Sequence, residues 1–588
     1  MRDNRIMKFK RALVVIAAVG LIATACGDDK GAEPTTSTPG GGATAATTPP
    51  TTKTPVNGGT LVFGSYSKIS GLDPIVGLGQ GTSGGIPMAA LYDSVVRFNQ
   101  ATNKYENRTA ESVTPSADSL EWTVKLKAGI KFTDGSDYDA EAVRFGMNRH
   151  RVGTGIPAAE CAQWYACPRT GVSSSAYMSL VKDIVVVDKL TLKFTLTEPY
   201  TAFYYNLSAE AAMIPSMTAI KKACVDPTKA ANTCPFNLAP VGAGAFMVAS
   251  YKPDDSINMV RNPTFFGGPS YLDGINFLDS GDTGGLATME KLKTGTVGAA
   301  FLRDPAAVAG AKDGKFPGFS TLEQNGAIVL LNMGANVTCT GGKPEPLCVG
   351  KPDGPTVSNP QTKELKVRQA IAAAIDPKVL NDRAYGGKLL LGSQMLQSTF
   401  PWDPGVPGPV FNLDNAKKLV TDAKATGWNG SLRLVFVNSE LSKNSGLSIQ
   451  TMLNAAGMTA TLETYDSTAQ QGIVITTKEF DVATWGMALS GDDGAVWALD
   501  QNLKSTGTSN RVGFKSTIVD QALKDIRAAK TDAEKKAGFK KISEEVNNLL
   551  PFVTYGAIEE YNTFTPKLQG AIGGNRAYVF FDKAFLEK

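Results

Sequence analysis

LYDSVVRFNQATNKYENRTAESVTPSADSLEWTVKLKAGIKFTDGSDYDAEAVRFGMNR, residues Leu91–Arg149, decides how the rest of the chain is read. Its first residues continue a helix expected around Ile86–Val96. Further on, Glu121–Lys127 (EWTVKLK) alternates apolar and polar side chains, as a half-buried strand does. The end of the stretch, running on as VRFGMNRHRVG, reads as the close of another helix. Helix and strand follow one another within one segment, which is the pattern of α/β layering.

The same alternation extends outward. Thr60–Ser65 (TLVFGS) reads as a strand, and Val181–Val187 and Thr191–Thr197 as two strands joined by a turn at Asp188-Lys189-Leu190. Helices are expected at Glu364–Ile375, Asn415–Thr426, Leu447–Ala456, Ile518–Ala529 and Asp532–Leu549. Strands are expected at Leu432–Val437, Thr459–Thr464 and Val482–Trp485. No internal repeat is visible. The globular part holds about 530 residues, too many for one core and enough for two to four domains.

Five ordered blocks carry a family resemblance. Gly58–Pro74 (GGTLVFGSYSKISGLDP) looks like the opening strand of the family 5 extracellular solute-binding proteins, the dipeptide- and oligopeptide-binding components of ABC importers. Leu91–Arg149 resembles the family's long signature: a helix, an "AES" turn, a strand ending in G-x-KF-x-DG, then AE-x-V. Val187–Pro199, Pro240–Gly268 and Val367–Gly387 match further blocks in the same order.

The resemblance implies an α/β fold of the class II periplasmic-binding-protein kind, with two hinged lobes joined by two crossing segments and an extra domain on the first lobe. Domain I would be discontinuous, comprising 57–93, 209–325 and 561–588. Domain II would be 94–208 and domain III 326–560. The implied function is a substrate-binding subunit that captures peptides in an interlobe cleft and delivers them to the permease and ATPase subunits of an importer. It would act as a monomer, with no catalytic residue, cofactor or metal. A non-peptide solute (an oligosaccharide, a glycolipid headgroup or a metal chelate) or a non-transport adaptor or sensor role are the alternatives on the same fold.

The amino terminus reads as an export signal. Arg2, Arg5, Lys8, Lys10 and Arg11 precede an apolar run from Ala12 to Ala25, and small residues lead to Cys26. This is a lipoprotein signal, residues 1–25, with a diacylglycerol expected on Cys26. Ala23 stands where such signals usually carry leucine. The alternatives are an ordinary signal cut elsewhere or an uncleaved helix, but the run is shorter than the ~20 residues of a spanning segment. Residues 26–56 are a tether of Thr, Pro, Gly and Ala with too little apolar surface to offset its ordering entropy. Its reach is roughly 30 Å. The globule would therefore be held at the outer face of the cell membrane through its lipid.

The formal net charge of +4 resides in that signal: five basic residues and Asp3 leave a surplus of four. The mature chain is formally neutral, so nucleic acid is not an expected partner. With Cys26 set aside, six cysteines remain in local pairs: Cys161/Cys167, Cys224/Cys234 and Cys339/Cys348. An even count in an exported chain favours disulfides, and local pairing is the simplest of fifteen connectivities. None has CxxC spacing, and His150 is the one histidine, so a zinc site is not expected.

Two enzyme-like strings overlap after the first strand. Gly79–Gly84 fits GxGxxG, but Gly71-Leu72-Asp73-Pro74 separates it from the strand that a dinucleotide site needs. Gly81–Gly85 fits GxSxG, but a serine nucleophile commonly requires a histidine, and His150 reads as a solvated helix terminus beside two arginines. The resemblance gives this loop another role. Gly81, Thr82, Ser83 and Gly84 would face the cleft and offer backbone groups to the ligand, where glycine permits close approach. The alternative is a flexible surface turn.

The second candidate segment is Phe480–Asp493 (FDVATWGMALSGDD), which resembles the family block YD-x4-GW-x2-D, whose last aspartate pairs with the peptide's α-ammonium. Counted from Asp481, Met487 stands at the tryptophan position and Ser490 at the aspartate position. Trp485 lies two residues earlier, and Asp492 and Asp493 two and three residues later. The candidate ligand residues here are Trp485, Gly486, Met487, Ser490, Asp492 and Asp493. Either the loop shifts so that Asp492 or Asp493 supplies the charge, or the ammonium anchor is absent; the other reading of the two acids is a solvated turn or calcium-like site.

Overall fold

The computed structural model describes residues 53–69, 71–76, 81, 84–151, 175–225 and 231–588. Cys26 and the signal, nearly all of the tether, Thr82, Ser83, Cys161 and Cys167 lie outside the described residues.

The organising element is a large mixed sheet. Its strands run in the order Thr459–Tyr465, Ser431–Val437, Val482–Thr484, Gly318–Leu331, Phe552–Phe564, Ala299–Leu302, Thr60–Ser65, Gly274–Asp279, Ser256–Arg261 and Phe246–Lys252. Thr60–Ser65 pairs parallel with both of its neighbours, as does Ser431–Val437. The neighbouring Ala299–Leu302, parallel to Thr60–Ser65 and antiparallel to Phe552–Phe564, is buried throughout and reads as a continuous apolar run.

Gly318–Leu331 and Phe552–Phe564 are far longer than the rest, at 14 and 13 residues. They pair antiparallel along their length, with register shifts between Glu323 and Ala327 and between Ala327 and Ile328. On one side of the shift lies Ala299–Leu302; on the other lies Val482–Thr484. Beyond the shift, strand periodicity divides the side chains between two cores. Val329 and Leu331 join Ile371, Leu434 and Ile449. Ile328 and Leu330 join Val435, Leu499 and Phe539 on the opposite face.

Two more apolar cores lie elsewhere. Leu61, Phe63, Phe277, Phe301 and Phe581 belong to one. The other is built on the antiparallel sheet Ala110–Pro115, Glu121–Leu126, Thr191–Leu196, Val181–Asp188. There Trp122, Val124 and Leu126 point inward against the helix Ala140–Asn148. Burial of each such side chain stabilises by about 1.5–3 kcal/mol. The Asp139 carboxylate caps that helix by accepting the Ala142 N–H.

Most expected elements are present within a residue or two at each end, including the hairpin at Asp188–Leu190 and the helix Asp532–Leu549. Two helices differ. The first ends at Tyr92, not Val96, because Asp93 takes a left-handed conformation (φ 57°). Its carboxylate then accepts from Ser94 N and from Arg108, and Val96–Asn99 leaves as a strand. The other starts at Glu440, seven residues before Leu447, where Ser439 caps it through Ser442 N.

Cys224 is joined to Cys234 and Cys339 to Cys348, with Cα atoms 5.3 and 5.4 Å apart. Among the described residues no helix is long and apolar enough to cross a membrane, and no group of His, Cys, Asp and Glu is arranged to hold a metal ion.

Candidate functional site

The loop Trp485–Asp493 leaves the strand Val482–Thr484 and enters the helix Gly494–Asn502. It is seated on the register shift of the crossing strand. Gln324 N donates to Leu489 O at 2.8 Å, Asn325 Nδ2 approaches Met487 Sδ at 3.6 Å, and Asn502 Nδ2 donates to Met487 O at 3.3 Å. Met487 is thereby buried, Trp485 is half-buried and Gly486 is exposed.

The two adjacent acids have different surroundings. Asp493 forms an ion pair with Lys535 Nζ at 2.8 Å, and that ammonium also lies 4.1 Å from the centre of the Trp402 ring. Asp492 Oδ1 accepts from Ser490 Oγ at 2.6 Å and from Gly494 N at 2.8 Å. Among the described residues no cation lies within 4 Å of it. Burial pushes the Asp492 carboxyl up to about 6 in spite of those two hydrogen bonds. Both acids are half-buried: Asp493 is ion-paired, and Asp492 is held by a hydroxyl and a backbone N–H.

The glycine loop reaches the same region through backbone. Gly81 N donates to Arg576 O at 2.9 Å, and a Cβ at Gly81 would lie 2.4 Å from Ala577 O, so only glycine fits. Arg576 and Ala577 both hold φ of 57°, a left-handed pair that costs about 1–3 kcal/mol per residue. Gly84, also buried, opens the helix Gly85–Tyr92.

The Arg576 guanidinium is enclosed by aromatic faces. Its Cζ lies 4.7 Å from the Tyr177 ring centre, 5.4 Å from Trp497, 5.8 Å from Tyr578 and 6.0 Å from Tyr205. Tyr177 and Trp497 stack in parallel, 4.7 Å apart. Arg576 Nη2 pairs with Glu210 at 3.1 Å, and Nη1 donates to Tyr205 Oη at 3.3 Å. Trp497 sits four residues beyond Asp493 on the same helix, so cage and loop adjoin. A methyl group at Gly494 would lie 2.5 Å from both Ser490 Oγ and Tyr205 Oη, and 2.7 Å from Asp492 Oδ1. Three regions distant in sequence meet at this point.

Of the expected site residues, Ser490 and Asp492 adjoin the cage here, while Gly81 meets the Arg576 turn through its backbone. Asp493 turns to Lys535, Met487 is buried against Asn325, and Trp485 lies at the far end of the loop. The cage residues Tyr177, Glu210, Tyr205, Trp497, Arg576 and Tyr578 carry no local motif by which the sequence could announce them. His150 is a correction: it is 1 % exposed, not a solvated terminus. Burial, with the adjacent Arg149 charge, pushes it down to about 3, so it is neutral. Arg149 itself forms two bonds to Asp73, at 2.8 and 2.6 Å.

Residues 104–510 match the family described as bacterial extracellular solute-binding proteins, family 5 middle. A putative ABC transporter peptide-binding protein of Brucella ovis is 22% identical over 506 residues, covering 84% of this chain and 86% of that one. The oligopeptide-binding protein AppA of Bacillus subtilis, solved with a nonapeptide, superposes with a TM-score of 0.70 at 18% identity, over 91% of this chain and all of that one. AgaA of A. tumefaciens R10, solved with agropinic acid, gives 0.66 at 20% identity, over 90% and 99%.

Proposed function

Since this chain belongs to the family 5 bacterial extracellular solute-binding proteins, the substrate-binding components of ABC importers, we propose that it is held outside the cell by a lipid on Cys26 and captures peptides in a cleft between lobes. It would then present them to the importer's permease and ATPase subunits. The family binds and does not convert its solutes, so the chain is not an enzyme.

We assign domain I to 57–93, 209–325 and 561–588, domain II to 94–208 and domain III to 326–560. The distribution of apolar cores supports this division, since the described cores fall almost wholly within those limits. Both proposed crossings, at 325/326 and 560/561, fall within the two long strands. Closure of the lobes would sequester the ligand, provided that the ligand binds the closed form more tightly.

The observation that carries the peptide reading is Asp492: a half-buried carboxyl with no cation within 4 Å among the described residues, held by Ser490 and close to Tyr205 of the aromatic cage. It is suited to a ligand's α-ammonium, with Gly81–Gly84 offering backbone groups. Ser490 at the family's aspartate position favours the second reading, a non-peptide solute. Calorimetry with a bound peptide and its N-acetylated form separates the two. An ammonium anchor predicts about a 30- to 3,000-fold loss on acetylation, from ~2–5 kcal/mol for a truncated buried charge pair. A loss below tenfold removes the anchor.

A further inference from the structure

The two long crossing strands hold more acid than base on one face. Glu323 stands opposite Ile558 and Glu560 opposite Thr321, so the two glutamates are diagonal neighbours on the same side of the pair. Both are buried. One guanidinium answers them. Arg303, which follows the strand Ala299–Leu302, bonds Glu323 through Nη2. Its Nε lies 3.3 Å from Glu560 Oε1, and neither of those two atoms has a hydrogen bond. Among the described residues no other cation pairs with either acid.

Ionising both glutamates would leave a buried negative charge without a partner, which is costly. The arrangement balances when one proton stays between them: a carboxylic O–H of Glu560 donates to Glu323, and Arg303 neutralises the charge that remains. Burial, and then the charge of Glu323, hold the Glu560 carboxyl well above the usual range, in keeping with that geometry. The other groups around the triad supply no second cation. A methyl group at Gly284 would lie 2.9 Å from Tyr66 Cδ2 and 3.1 Å from Arg303 N, so the Tyr66 ring packs beside Arg303. Burial pushes the Tyr385 phenol, which feels the Arg303 charge, above its ordinary value. The Asp304 carboxylate caps its own helix through Ala306 N and Ala307 N, and Glu559 is answered by Lys312.

The triad adjoins the candidate site through the chain itself. Glu323 is the last residue paired before the register shift. The next residue, Gln324, donates its N–H to Leu489 O at 2.8 Å and accepts from Gln397 N at 3.1 Å, and Asn325 Nδ2 approaches Met487 Sδ. A displacement of Glu323 is thereby passed to the loop Trp485–Asp493. We infer that Glu323 and Glu560 share one proton across the crossing strands, and that loss of this proton to solvent shifts the bulge and, with it, the loop Trp485–Asp493. Its role as a hinge control rests on the proposed division of domains at these strands. The sign follows from the raised value. With the proton in place the triad is formally neutral. As pH rises from the ordinary glutamate range through the raised value, a second carboxylate appears, and the described arrangement loses stability.

The test uses the full mature chain without added solute, as wild type, Glu560→Gln, Glu323→Gln and Trp485→Phe, from pH 5 to 10. The infrared difference between wild type and Glu560→Gln is expected to show the C=O stretch of a protonated carboxylic acid, lost on the alkaline side in a step of one proton. Asp492 is common to both proteins and cancels in that difference. Glu323→Gln leaves Glu560 facing Arg303 alone and therefore ionised. The same band should appear when its spectrum is subtracted, which keeps the test open where Glu560→Gln does not fold. Tryptophan fluorescence should change over the same step in wild type, and in neither glutamine variant. Loss of the change in Trp485→Phe assigns it to the loop. A Glu560 already ionised at the acidic end overturns the inference. So does a proton that leaves without a change in fluorescence, or with one that persists in Trp485→Phe, since the group would then titrate in place. Neither measurement uses a peptide, so this inference and the peptide reading can fail separately.

Discussion

At the scale of single residues, the two neighbouring aspartates are separated by what lies far away in sequence. Lys535, 42 residues on, neutralises Asp493, while Asp492 keeps company with a serine hydroxyl and a backbone N–H. Asp493→Asn should therefore change peptide affinity by less than about threefold, since it removes a partly exposed pair. Asp492→Asn should remove most binding. The pH dependence follows from the direction of the shift. Burial raises the free Asp492 carboxyl to about 6, and a ligand ammonium requires its ionised form, so affinity is full above that value and falls as pH drops through it. Titrations from pH 4.5 to 8 should show that fall in wild type and none in Asp492→Asn. The sequence narrowed the charge to Asp492 or Asp493 because both lie on one loop after a strand. It could not choose between them, since the choice depends on a helix packed from elsewhere. It gave no sign of Arg576, whose cage is assembled from rings at 177, 205, 497 and 578.

At the scale of elements, short strands and capped helices were legible because each carries its own period and its own cap. The two crossing strands were not. GFSTLEQNGAIVLL and FVTYGAIEEYNTF are interrupted by glycine and by acids that look like loop residues. In the folded chain Arg303 lies between Glu323 and Glu560, 3.3 Å from the latter, and answers acids from both strands. Burial still holds the Glu560 carboxyl well above the usual range. The glycine loop offers a test at this scale. Gly81→Ala would press a methyl group onto Ala577 O, 2.4 Å away, and push the loop off the Arg576 turn. Overpacking of this kind costs about 1–3 kcal/mol. A lowered melting temperature together with at least tenfold weaker peptide binding is expected. Unchanged affinity would mean that the loop does not meet the ligand.

At the scale of the whole molecule, the described cores are held in contact by groups that cross between them. Arg527 bonds Asp500 at 2.6 Å and also pairs with Glu198, while Thr201 N donates to Arg527 O at 2.9 Å. These tie the small antiparallel sheet to the helices around residue 500. On the proposal of a lipid at Cys26, the segment 26–56 separates the anchor from the binding site. Cys26→Ser should therefore release the mature protein from membranes, or leave it as precursor, with peptide affinity unchanged. Full membrane partition after correct cleavage would require a second anchor. The most direct test of the central claim is native mass spectrometry of the mature protein as it is purified. The account predicts a discrete bound peptide with a free amino terminus, present in wild type and lost in Asp492→Asn. A bound solute without an amino group, retained equally by both proteins, would contradict it.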